Sequence, residues 1–256
     1  MKIVMCIKPV SSAILYPDES RNGKSSINPY DLFALSNLLE LKKNCSCHII
    51  CICMGAQDSK EVLTKCLAMG VDEAIFLYDS KAFAGADTVA TSKVLAKAIS
   101  MINDYDLIVC GMKTIDGETG QVPFGLAERL HINYINNIEN IKSIANNEVT
   151  VLKRIDKNLV VGKQLLPALV IYNSFTLTNN YVTLLGMKKA QKKSITVWDR
   201  LALDMNEGDC GIKGSKTQVV NLVPICSKKE CVILENNAVE QALFIQNIIL
   251  KHTQGA

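Results

Sequence analysis

At 256 residues, 48% of them apolar, the chain is long enough to bury a substantial core in one large domain, or in one domain with an extension. A formal charge of +3 is too weak to mark a nucleic-acid binder, and a single tryptophan with six phenylalanines leaves no base-stacking platform. No apolar run has the length of a membrane span or the flanks of a signal peptide, so membrane insertion is not expected and the expected setting is cytoplasmic.

The ten cysteines do not form a metal pattern. Cys45, Cys47, Cys51 and Cys53 are spaced CxCx3CxC, which suits neither zinc nor an iron–sulfur cluster, and no histidine or second CxxC supports them. Cys51 and Cys53 alternate with isoleucines in a buried strand, where cysteine acts as a small hydrophobe. Unpaired thiols fit a reduced compartment.

In chain order, Met1 to Ile7 reads as a first strand, apolar on both faces as a central parallel strand should be. Lys8-Pro9 ends it, and a long polar loop runs from Val10 to Asn28. Asn28 fits a helix cap and Pro29 the first helical position, with Leu32, Leu35, Leu38, Leu39 and Leu41 as the buried stripe. His48 to Met54 is the second strand, and Ser59 to Met69 a helix closed by Gly70. Glu73 to Tyr78 is the third strand. After it comes the small-residue loop Phe83 to Thr88, in which Asp87 or Thr88 caps a helix over Val89 to Met101. Leu107 to Cys110 is the fourth strand. The polar, glycine-bearing segment Gly111 to Gln121 leads from it into a helix marked by Val122, Phe124, Leu126, Ala127 and Leu130.

Strands alternating with helices at this spacing predict an α/β fold with a doubly wound, mainly parallel sheet of Rossmann-like type. Beyond Leu130 the pattern changes. Val149 to Ile155 and Leu159 to Leu165 flank Asp156-Lys157-Asn158 as a β-hairpin, and Leu166 to Tyr172 is another buried strand. Residues 1–178 form the expected nucleotide-binding domain, and residues 179–256 a recognition loop and C-terminal arm. That arm carries an amphipathic helix over Asn236 to His252, built either to embrace a partner or to pack on its own domain.

Ligands of such sheets sit beyond the carboxyl ends of the strands. The loops leaving those ends offer backbone amides, hydroxyls at Thr88, Thr114 and Thr119, and amide side chains at Asn28 and Gln121. None of the three histidines (His48, His131, His252) lies in them, and neither a nucleophile elbow nor a GxxxxGK[ST] loop is present. Asp116 and Glu118 read either as an acid–base pair or as residues that shape their own loop. The set suits holding a nucleotide better than transforming one.

Several segments in register resemble the β subunit of electron transfer flavoproteins. These are KIVMCIKPV, INPYDLFAL, LTKCLAMGVDEAIFL, FAGADTVATSKVLAKAI, GMKTIDGETGQVPFGLAERL, LPALVIY, YVTLLGMKKAQKKSI and CGIKGSKTQVV. The resemblance implies a heterodimer with a larger α subunit that carries an electron-transferring FAD. It also implies an adenine nucleotide in the β subunit, a second FAD in the bifurcating type or AMP in the ordinary type.

Its contacts would fall on Cys6, on Asn28, Pro29, Tyr30 and Asp31, and on Met54. Asp87 and Thr88 join them, with Gly111, Met112, Lys113, Thr114, Ile115, Asp116, Gly117, Glu118, Thr119, Gly120 and Gln121. The DGETGQ loop and FAGADT look like the clostridial, bifurcating-type sequences of anaerobic metabolism. There NADH is the donor, with ferredoxin or flavodoxin and the α-subunit FAD as acceptors. Thr183, Leu184, Leu185, Gly186 and Met187 match the family's recognition loop, whose leucine docks on an acyl-CoA dehydrogenase or related flavoprotein. Asn179-Asn180-Tyr181 stands where the family has Pro-Arg-Tyr. A stress-protein-like nucleotide-binding module is the alternative of another class.

Overall fold

A computed structural model of the chain describes residues 1–11, 25–174, 182–221, 233–235 and 237–253. Most of the loop between Val10 and Asn28, and Asn179-Asn180-Tyr181, lie outside the described residues. By contact the chain forms two compact units, Met1–Gln218 and Val219–Ala256.

The first unit opens with β1 (Lys2–Ile7) and the short strands β2 (Pro9–Ser11) and β3 (Ser25–Ile27), which pair antiparallel. Helix α1 (Pro29–Lys42), β4 (His48–Met54), α2 (Lys60–Met69), β5 (Glu73–Leu77), α3 (Thr88–Met101), β6 (Leu107–Gly111) and α4 (Val122–Leu130) follow. Next come β7 (Asn133–Ala145), β8 (Glu148–Ile155), β9 (Asn158–Leu165), β10 (Ala168–Tyr172), α5 (Leu184–Ala190), β11 (Thr196–Trp198) and the one-turn helix α6 (Gly211–Gly214). The second unit holds α7 (Ala238–Thr253). No helix among the described residues is long and apolar enough to cross a membrane.

One sheet of nine strands organises the first unit, in the order β11-β5-β4-β1-β6-β10-β7-β8-β9. Neighbours from β11 to β7 run parallel, and β8 and β9 add the expected hairpin antiparallel at one edge. The period-two side-chain alternation of a strand divides the core into two layers. Ile3, Met5 and Ile7 face one layer with Leu35 and Leu38 of α1 and Leu63 of α2. Val4 faces the other with Val94 and Ile99 of α3 and Leu126 of α4. Helices cover both faces, so β1, β4 and β6 are apolar without alternation, and Cys51 and Cys53 are fully buried, unpaired fillers.

Three local expectations change. Beyond Leu130, where the sequence pattern only changes, Asn133–Ala145 is the longest of the described strands, held between β10 and β8. The loop after Val10 is stiffened at both ends by the β2–β3 ladder. The Thr183–Met187 stretch is the capped first turn of α5 rather than a loop, because the Thr183 side chain accepts the Gly186 N–H at 3.0 Å.

Candidate functional site

Strand order places the site. From β1 the chain steps outward through β4 to β5, then returns to β6 on the other flank of β1. Connections leaving β1 and β6 diverge, which opens a crevice beyond their carboxyl ends. Lys8 leaves β1 there, the Gly111–Gln121 loop leaves β6, and α1 begins between them.

Asn28 and Asp31 tie these pieces together. Asn28 stands at the cap position, but its side chain makes no cap bond. Its amide instead donates to the Lys113 carbonyl at 2.9 Å, its Oδ1 accepts the Ile115 N–H at 3.3 Å, and its own N–H donates to the Lys8 carbonyl. The expected cap is therefore a cross-brace to the loop, and the fixed φ of Pro29 starts the helix without it. Asp31 is buried beneath, where Oδ2 accepts the Lys8 N–H at 2.8 Å and Oδ1 the Gly111 N–H at 3.0 Å. One carboxylate so joins the exits of β1 and β6. Gly111 has to be glycine, since a Cβ there would collide with Asp31 Oδ1.

Burial pushes the Asp31 carboxyl from the ordinary 3.8 up to about 7, and the bonds from Lys8, Asn28 and Gly111 limit the rise. The unfolded chain loses this proton near 3.8, while the folded chain keeps it to about 7. The stability contributed by the proton is thus complete below 3.8 and is lost as pH rises through 7, at roughly 1.4 kcal/mol per unit within that window. In urea unfolding from pH 5 to 8, the stability of the native chain relative to Asp31→Asn should fall with rising pH and level off above 7. A difference that does not vary with pH would refute this.

Within the loop, Asp116 Oδ1 accepts the Gly117 N–H at 2.7 Å and Oδ2 meets the Lys8 ammonium at 2.8 Å. Partial burial raises the Asp116 carboxyl, but the Lys8, Thr114 and Gly117 partners outweigh it and hold it below the usual range. Glu118 acts through its backbone, with φ of 50° and its N–H on the Thr114 carbonyl, and its carboxylate lies 3.7 Å from the Lys113 ammonium. Gly120 also takes a left-handed φ of 62°. The N–H groups of Thr119 and Gly120 find no acceptor among the described residues, and Gln121 caps α4 without a side-chain bond. Met112 is anchored outside the loop, its N–H on the Tyr172 carbonyl at 2.7 Å. The loop thus offers backbone donors beside a helix start, the arrangement that takes an anion.

The other expected residues divide. Cys6 lies on β1 with its free thiol hydrogen-bonded to that of Cys110, which together with burial pushes the Cys110 thiol well above the ordinary range. Met54 ends β4, half-buried against the α3 layer. Tyr30 is buried behind Gly111. Asp87 does cap α3, its Oδ1 accepting the Val89 and Ala90 N–H groups at 2.9 Å, with Thr88 opening the helix. Its Oδ2 accepts the N–H groups of Lys216 and Thr217 at 2.7 and 2.9 Å. Slight burial raises this carboxyl, yet the donors win and hold it at about 2. Asp87 therefore straps the 211–217 segment to α3, with both oxygens committed. On α5, Leu184 is 81% exposed beside exposed Leu185 and Met187, while Gly186 faces the Ala68 carbonyl of α2.

Sequence reasoning overlooked the side chain of Lys8 and the strap at Lys216 and Thr217. A cation following directly on the first strand was the signal for Lys8. The strap left none, because Asp87 and Thr217 meet only in the fold.

Comparison with known proteins agrees with this architecture. The sequence profile of the electron transfer flavoprotein domain matches residues 19–203. The chain is 33% identical over 227 residues to the caffeyl-CoA reductase-Etf complex subunit CarD of Acetobacterium woodii, covering 86% of each protein. It is 34% identical over 257 residues to protein FixA of Azotobacter vinelandii, covering 93% of this chain and 89% of the relative. With the electron transfer flavoprotein subunit beta of Clostridium acetobutylicum it shares 32% over 226 residues, 86% of each. The profile takes in the bracing carboxylate of Asp31 and the Gly111–Gln121 loop, and the matched subunits span most of the same length: the chain belongs to the electron transfer flavoprotein family, as a β-type electron-transfer subunit.

Proposed function

We propose that the crevice between the β1 and β6 exits holds the adenine and phosphate portion of FAD, and that the protein works as a heterodimer with an electron transfer flavoprotein α subunit. In that reading NADH supplies electrons, and ferredoxin or flavodoxin and a flavoprotein of the acyl-CoA dehydrogenase class exchange them, by flavin-based bifurcation. The observation that carries it is the brace at Asp31 and Asn28. A buried carboxylate and a buried amide fix two strand exits, and the Thr119 and Gly120 N–H groups beside the α4 start, which have no acceptor among the described residues, suit an anion.

These residues fit a nucleotide. Gly111 lets the first turn of α1 approach the β6 exit closely, and the loop amides and Lys8 supply the donors and charge a phosphate needs. Half-buried Cys6, Met54 and Ile115 supply apolar surface near the strand exits. FAD, when bound, supplies the one- and two-electron redox chemistry, while the chain's residues bind it, orient it and exclude water. The exposed turn Thr183–Met187 on α5 is the surface assigned to the partner flavoprotein, with Leu184 as its apolar tip. The resemblance of the DGETGQ loop to clostridial, bifurcating-type sequences supports FAD over AMP. The name of the Acetobacterium woodii relative places that protein in a caffeyl-CoA reductase-Etf complex.

Flavin counting after co-expression with the α-type subunit tests the reading. Two FAD per heterodimer, bleached by NADH, are expected. One FAD with one AMP would end the bifurcating reading and leave a carrier with a structural nucleotide. A flavin-free monomer holding ATP would end both.

A further inference from the structure

The charges around the crevice are uneven. Between Gly111 and Gln121 the loop carries Lys113 against Asp116 and Glu118, so its own side chains leave a net negative charge where its amides are set to take an anion. Lys8 corrects that balance. Its backbone is pinned from both sides, the N–H by Asp31 Oδ2 at 2.8 Å and the carbonyl by the Asn28 N–H at 3.1 Å, so the origin of its side chain is fixed at the crevice floor. The ammonium then reaches Asp116 Oδ2 at 2.8 Å, with the two side chains 45% and 31% exposed.

An ion pair this open to water contributes little net stability, because both partners are nearly as well solvated apart. Losing Lys8 also leaves Asp116 with its Gly117 N–H and Thr114 partners. An incoming phosphate offers the ammonium more charge and more acceptor oxygens than one carboxylate does. The pair is therefore stable enough to park the cation and weak enough to release it.

We propose that Lys8 is the residue that reads phosphate charge at this site: its ammonium, paired with Asp116, passes to the phosphate of an adenine nucleotide when one binds. The proposal rests on the nucleotide reading of the crevice. It assigns Asp116 a second task, holding the cation in place so that the crevice is not an open trap for any anion, and it makes phosphate recognition depend on salt.

The test uses the full chain stripped of nucleotide and titrated calorimetrically with adenosine, AMP and FAD at low and high salt. The native chain should bind AMP about tenfold more tightly than adenosine, a margin that one charge-assisted contact supplies. In Lys8→Gln that margin should shrink to within about twofold while adenosine binding is retained. Asp116→Asn, which keeps an acceptor for the Gly117 N–H, should widen the margin by freeing the ammonium. If Lys8→Gln weakens adenosine and AMP equally, the lysine is a structural brace and the proposal fails. If the AMP margin survives in Lys8→Gln, the ammonium is not at the phosphate and the proposal also fails. A native chain that binds none of the three probes overturns the nucleotide reading itself, an outcome separate from the other two.

Discussion

Gly111→Ala should abolish nucleotide retention and bring the protein close to its unfolding threshold. The added Cβ would collide with Asp31 Oδ1 and sit 2.8 Å from Tyr30 Cβ and 3.2 Å from the Asp31 backbone nitrogen. Neither neighbour can yield, because Tyr30 and Asp31 form the first turn of α1 and the Asp31 carboxylate is held by the Lys8 N–H. Overpacking of this kind costs about 1–3 kcal/mol. If the carboxylate moves away, the buried Gly111 N–H loses its acceptor, at a cost of roughly 1–3 kcal/mol more. Together these approach the about 5–15 kcal/mol that holds a typical domain folded.

Gly117→Ala is the control. There a Cβ meets only Thr114 Oγ1 at 3.9 Å, and Gly117 is not among the glycines with positive φ, so the change should cost less than about 0.5 kcal/mol. Urea unfolding with nucleotide content measured on the folded fraction separates the two variants. Equal behaviour would mean that the loop does not depend on the close approach of Asp31.

The sequence reading succeeds where physics is local and fails where it is not. Strands β1, β4 and β6 announce themselves as short runs apolar on both faces, which only a sheet covered on both sides permits. Helix starts at Pro29 and Asp87 follow from single-residue preferences, and Gly70, with φ of 125°, closes α2 as expected. Strand β7 is hidden because Asn133, Asn136, Asn137 and Asn140 have poor strand propensity, and neighbours on either side impose the conformation.

At the site, the loops that converge are legible from topology, but their bonding is not. Asn28 occupies the position its residue type suggests and uses its side chain elsewhere, since Lys113 and Ile115 lie far off in sequence. Asp31 reads as an ordinary acidic residue in a first helical turn. Only the fold shows it buried and joining two strand exits. Asp87 shows the same split, one oxygen obeying a local rule and the other a contact that no local rule contains.

Gly186→Ala should detach α5 from the body of the protein without unfolding it. Gly186 packs against the backbone carbonyl of Ala68 near the end of α2, and a Cβ there would collide with that oxygen while also lying 3.1 Å from the capping Thr183 hydroxyl. A helix backbone cannot retreat as a flexible side chain does, so α5 has to move. Only Ala190 of this short helix is buried, so little opposes the displacement. The cost of about 1–3 kcal/mol then falls on local docking, well short of global stability. Hydrogen exchange should show the amides of Gly186–Ala190 losing protection while those of β1, β4 and β6 keep theirs. Electron exchange with the proposed partner flavoprotein should fall with them. Leu184→Ala separates the surface from its support, because Leu184 is 81% exposed and its removal should slow that exchange with α5 still protected. If Gly186→Ala leaves the α5 amides protected, the helix is held by something other than its contact with Ala68. If it deprotects α5 yet electron exchange continues at the native rate, the partner docks elsewhere on the chain.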